Sequence, residues 1–128
     1  MIESTLYTRL STYSGLTALV STRIYPLVCP QGVTYPAVVY QRISTMAREV
    51  AMGSDPGIVR ARVQVTAWAD NYTSAKAVAD KVRLALERYR TTGLFDIYII
   101  GENDLYDEEA LKYGVAVDAK VVYLEATT

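Results

Sequence analysis

The sequence predicts an α+β fold. It is a two-layer sandwich, a mainly antiparallel sheet of about four strands with an N-terminal helix and one long helix on one face. Two observations carry most of this. Residues 58–69 alternate for a full strand length, with Val59, Ala61, Val63, Val65, Ala67 and Ala69 on one side and Arg60, Arg62, Gln64, Thr66 and Trp68 on the other. Residues 74–90 then change to helical spacing. Ala75, Val78, Ala79, Val82, Ala85, Leu86 and Tyr89 make one apolar stripe, and Lys76, Asp80, Lys81, Arg83, Glu87, Arg88 and Arg90 fill the other side. A helix with one apolar stripe next to a strand with one apolar face is the pairing that builds two layers.

The remaining elements follow in order. Ile2, Leu6 and Leu10 recur at spacing four and predict an amphipathic helix over residues 2–10. Ser14-Gly15 turns the chain into a short helical piece over 16–21. Residues 24–28 are apolar and lead to Pro30, Gly32 and Pro36, a strand or extended segment entering an ordered loop. Val38, Val39, Tyr40 and Ile43 supply the β-favouring residues of a strand over 37–44. Residues 45–57 have no usable period and end in Gly53-Ser54-Asp55-Pro56-Gly57, so they are expected to form a long hairpin loop. Asp70 or Asn71 caps the long helix, and Gly93 marks its stop. Two further strands, over 95–100 and 115–124, are joined by an acidic loop. The strands over 37–44 and 58–69 should form one hairpin, and those over 95–100 and 115–124 a second pair.

Composition bounds the function. The chain has 128 residues, with 51% apolar and 21% charged, and its length suits a single domain spanning 1–128. A formal net charge of -1 offers no basic excess for nucleic acid or an anionic membrane surface. No apolar run approaches the length of a membrane span, and the first residues lack the pattern of a signal peptide, so the expected place of synthesis and folding is a cytosol. There is no histidine, which removes Ser-His-Asp and Cys-His nucleophiles and most zinc sites. Cys29 is the single cysteine and reads as a small residue in a proline-bounded loop. Eleven tyrosines stand against one phenylalanine. Tyr has an apolar body and a polar tip, which suits a surface that is wet in the free chain and buried in a complex.

Candidate sites are few. Glu102, Asp104, Asp107, Glu108 and Glu109 could hold a divalent cation or do acid–base work, but their spacing fits no calcium loop, and a solvated loop is the simpler reading. Arg60, Arg62, Gln64 and Trp68 lie on the strand face that the helix stripe leaves uncovered, and Trp and Arg lead interface hot spots. Met46, Arg48, Val50 and Met52 give the 45–57 loop a mixture of soft apolar and charged groups, as a binding loop would have. These eight residues are the expected subunit or partner contacts. No catalytic, cofactor-binding or metal-binding residue is expected.

The order of motifs is also familiar. Arg23-Ile24-Tyr25-Pro26, Pro30-Gln31-Gly32, Tyr35-Pro36, Val38-Val39-Tyr40-Gln41, the run Val63-Gln64-Val65-Thr66-Ala67-Trp68-Ala69-Asp70 and the alanine-thick helix together resemble the tail-completion, or tail-terminator, family of long-tailed bacteriophages, prophages and gene-transfer particles. The resemblance implies a ring, usually of six copies, at the head-proximal end of the tail tube. Such a ring ends tube polymerisation and joins the tail to the head. Its implied partners are itself, the major tail tube protein and the head–tail connector protein. DNA passes through its lumen without specific binding, and neither cofactor nor membrane is involved. The implied location is the virion, assembled in the host cytoplasm. Two alternatives stay open. One is a head–tail connector or tail-tube ring protein of the same particle. The other is a small metal- or ligand-binding enzyme using residues 102–109.

Overall fold

A computed structural model describes residues 2–30, 32–48, 58–91 and 94–124, with backbone alone for Ile2, residues 45–48, Phe95 and Leu124. The elements are α1 (Ile2–Thr12), α2 (Ser14–Val20), β1 (Ile24–Pro26), β2 (Ala37–Arg48), β3 (Ile58–Ala69), α3 (Tyr72–Leu86), β4 (Leu94–Asp107) and β5 (Lys112–Leu124). The strands form one sheet in the order β1-β2-β3-β5-β4. Only the β1–β2 pair is parallel. This is the expected α+β sandwich, with five strands rather than four because residues 24–26 pair beside β2.

The alternation of β3 decides the layers. Val59, Ala61, Val63, Val65, Ala67 and Ala69 are buried against the helix stripe Ala75, Val78, Ala79, Val82, Ala85 and Leu86. β5 lies beside β3 in unbroken register, so Val115, Val117, Ala119, Val121 and Tyr123 join the same core. Leu6, Leu10, Leu16 and Val20 bring the first two helices onto it. Arg9 ties α1 to the end of α3. Its Nε donates to the Ala85 carbonyl at 2.6 Å, and its guanidinium lies 4.3 Å from the Tyr89 ring centroid and 5.0 Å from that of Tyr13. One cation thereby satisfies a helix-end carbonyl and packs two tyrosines.

α2 begins at Ser14 and β5 at Lys112, earlier than expected, and three further boundaries differ for a visible reason. β2 continues to Arg48, so residues 45–48 are strand and not loop. Register shifts between Arg42 and Ser44 and between Thr45 and Ala47 break the alternation there. β4 runs to Asp107, so Glu102, Asp104 and Asp107 are strand residues, paired with Val117, Val115 and Lys112. α3 begins under the Asn71 cap, whose side chain accepts from the Ser74 N–H at 2.8 Å, and ends at Leu86. Arg88 takes a positive φ of 60° and donates its N–H to the Ile97 carbonyl, which turns the chain onto the edge of β4.

Candidate assembly interface

The face of the sheet away from the helices carries the residues singled out on β3. Cross-strand register sets them in rows. Ser44, Arg62 and Lys120 form one row, Gln41, Gln64 and Asp118 the next, then Val39, Thr66 and Ala116, then Ala37, Trp68 and Gly114. Among the described residues no helix covers this face. Arg62 is exposed, while Arg60, Gln64 and Trp68 are half-buried.

A polar network crosses the middle of it. The Arg62 guanidinium meets Asp118 Oδ2 at 3.0 Å, Gln64 Nε2 donates to Asp118 Oδ1 at 3.0 Å, and Gln41 Nε2 donates to Gln64 Oε1 at 3.4 Å. Asp118 is 4% exposed although it points away from the core. A carboxylate so shielded needs donors on both oxygens, and Arg62 and Gln64 supply them. The arginine on β3 is thereby held in place by β5.

Trp68 ends the face. It lies over β5 at Gly114, where an added Cβ would come within 2.7 Å of the indole Cζ3. Glycine there is a close-approach residue. Beside the indole, the segment between β1 and β2 folds back and closes a cleft of about 600 Å³, lined in part by Leu27, Val28, Tyr35, Trp68, Asp107 and Lys112. Lys112 pairs with Asp70 and lies 4.8 Å from the Tyr35 ring centroid, and the Asp70 contact raises its pKa. Burial pushes the Cys29 thiol up as well, against a hydrogen bond with Tyr35 that works the other way. Leu27, at a positive φ of 65°, and Val28 stand out on the rim, two-thirds or more exposed.

The acidic stretch does not converge. Asp104 accepts from Tyr72 Oη at 2.8 Å and meets Lys76 Nζ at 3.0 Å, contacts that hold its carboxyl below the usual range. Asp107 Oδ1 accepts from the Glu109 and Ala110 N–H groups at the β4–β5 turn. Among the described residues no group of three Asp, Glu, Cys or His side chains is placed to hold a metal ion. No helix of the described residues is long and apolar enough to cross a membrane.

Arg60, Arg62, Gln64 and Trp68 thus share one face. Met46 and Arg48 lie at the far end of β2, where the backbone alone is described, and Val50 and Met52 fall outside the described residues. The residues not singled out are Gln41, Asp118 and Lys120. The last two were legible in the alternation of β5. The pairing of Asp118 with Arg62 was not, since 56 residues separate them.

The family described as Tail completion protein gp17 matches residues 4–124. A chain in a solved structure described as the virion of a native gene transfer agent (GTA) particle shares the fold. Its TM-score is 0.77 at 19% sequence identity, over 94% of this chain and 92% of that one. No curated protein matches.

Proposed function

The chain belongs to the tail completion protein gp17 family, and from that premise we propose that it forms a closed ring, of about six copies, on the head-proximal end of the tail tube. As a member of that family it is a structural protein of the virion. In the proposed role its 128 residues act as one domain. The ring ends polymerisation of the major tail tube protein and presents a seat for the head–tail connector. It uses no cofactor and catalyses no reaction.

The observation that supports a ring is the one-sidedness of the sheet. The helices described all pack on one face, and no described helix lies on the other, where a hydrogen-bonded polar network of Arg62, Gln64 and Asp118 stands beside the buried Val39, Thr66 and Ala116. A sheet of this kind suits the wall of a conduit, with helices outward and the polar face toward the lumen. Arg60, Arg62, Gln64 and Trp68 would then line the lumen or a subunit contact, and Met46, Arg48, Val50 and Met52 would face the tube or a neighbouring subunit. In this face Arg62 is neutralised by Asp118. A lumen so balanced lets DNA slide, because tight binding needs many unneutralised phosphate contacts.

Deletion and complementation in a particle-producing host test this. Loss of the protein should leave tails of uncontrolled length and heads without tails, and re-expression should restore joined particles. Heads joined to tails of normal length in its absence would refute the role. Tubes that never form would favour the tail-tube reading, and tubes of normal length unjoined to heads the connector reading.

A further inference from the structure

We infer that the free outer edge of β4 pairs antiparallel with the free outer edge of β2 from a second copy of this chain, so that the sheet continues from subunit to subunit. This rests on the ring reading above and names its interface. The backbone of β4 is paired with β5 on one side throughout. On its other side the segment after α3 reaches it near Leu94 and Ile97, through Thr91 and the Arg88 N–H. Among the described residues, 98–107 extend beyond that cover. β2 is flanked by β1 at Val38, Val39 and Tyr40. Among the described residues no strand flanks 41–48 on that side. An edge of eight to ten residues invites another strand. Tyr98, Ile100, Leu105 and Tyr106 stand exposed along β4, and Ile43 along β2.

Direction, charge and register agree on which edges meet. β2 and β5 run one way and β3 and β4 the other. Rotation about an axis along the sheet preserves direction, so the β4 of one copy meets the β2 of the next antiparallel. Residues 98–107 carry Glu102, Asp104 and Asp107 and no cation, whereas 41–48 carry Arg42 and Arg48 and no anion. Two β4 edges together would set acid against acid. Asp104 and Arg42 also pair within the subunit, with Lys76 and Glu3.

The register offset is the sharpest point. One level row runs Gln41, Gln64, Asp118, Gly101. The centre of 98–107 is therefore level with Val39 and Tyr40, whereas the centre of 41–48 lies five residues farther along β2, or four steps of the ladder with the bulge at Ile43 left out. Closing a sheet into a barrel demands such a stagger, about one residue per strand at a tilt near 36°. The four long strands β2, β3, β5 and β4 need a stagger of about four residues per subunit, the size of the offset.

Disulfide trapping on assembled rings or tail ends tests the pairing. In a Cys29→Ser background, Ser44→Cys is combined with Asn103→Cys, two exposed positions on the same sheet face. Gly101→Cys and Leu105→Cys replace Asn103→Cys to scan the register. Mild oxidation should give a ladder of covalent multimers ending at the ring number, and Asn103→Cys alone should give none. A ring that forms by mass measurement yet yields no ladder in any register overturns this interface and leaves the ring standing. A dimer from Asn103→Cys alone overturns it in favour of paired β4 edges. A chain that stays monomeric even with tail tubes present overturns both readings. Hydrogen exchange on the unmodified protein is the second measurement. Amides in 41–48 and 98–107 should exchange at least roughly tenfold more slowly in the assembly than in the free chain. Unchanged exchange there in a formed ring contradicts the pairing.

Discussion

Asp118 is the residue on which the uncovered face turns. It is shielded from water, it is satisfied by Arg62 and Gln64, and it cancels the charge that Arg62 alone would present. Arg62→Glu would set a second carboxylate against it and strand a shielded acid, at a cost of about 1–3 kcal/mol. Urea unfolding of the variant should show that loss, and Asp118→Asn in the same chain should recover part of it. Equal stability of wild type and Arg62→Glu would contradict the network. Gly114 makes a second residue-level test. Any side chain there strikes Trp68, so Gly114→Ala should cost about 1–3 kcal/mol and change the tryptophan fluorescence. Cys29 is the third. Its thiol pKa is raised by burial, so the nucleophilic thiolate is scarce at neutral pH and appears only as pH rises above the ordinary thiol range. Iodoacetamide at pH 8 should label it more slowly than free glutathione, and faster labelling would count against the buried setting.

At the scale of elements, strict periodicity was legible and broken periodicity was not. The unbroken alternation of residues 58–69 and the stripe from Ala75 to Leu86 indicate the two layers and the buried face, while the cap, open between Asp70 and Asn71 in the sequence, is Asn71. β2 was read four residues short because two bulges shift its pattern at Ile43 and Met46. β4 was read seven residues short because Gly101 and a run of acids look like a loop, although cross-strand partners from β5 hold them in a strand. A pairing partner distant in sequence cannot be read from local composition. The strand or extended segment expected over 24–28 is the three-residue β1, and what its sequence does not show is the parallel pairing with β2. The longer β2 also refines the expected binding loop. Its Met46 and Arg48 belong to a strand end, which leaves 49–57 as the connection. Replacing 49–57 by a short Gly-containing turn should leave the circular dichroism and thermal midpoint of the free chain nearly unchanged, since β2 and β3 keep their pairing. The shortened protein should fail to complete tails in the complementation assay. Normal particle yield would make the segment a plain connector.

At the scale of the whole molecule, the fold has a built-in asymmetry that a single copy leaves unused. One face of the sheet is spent on the core. The other carries a satisfied polar network that no described helix covers, and two long stretches of edge carry opposite charge. Each feature is ordinary by itself, and together they describe a repeating unit more readily than a catalyst. Family membership supplies the particle in which the unit works, and the register offset supplies a geometry for closing it. The most direct measurement is a cryo-electron microscopy reconstruction of the head-proximal end of isolated tails. The account expects one closed ring of this chain at that end, helices outward, with Arg62 and Asp118 facing the lumen. A tail end that lacks the chain, or a ring that turns its helices to the lumen, would contradict it.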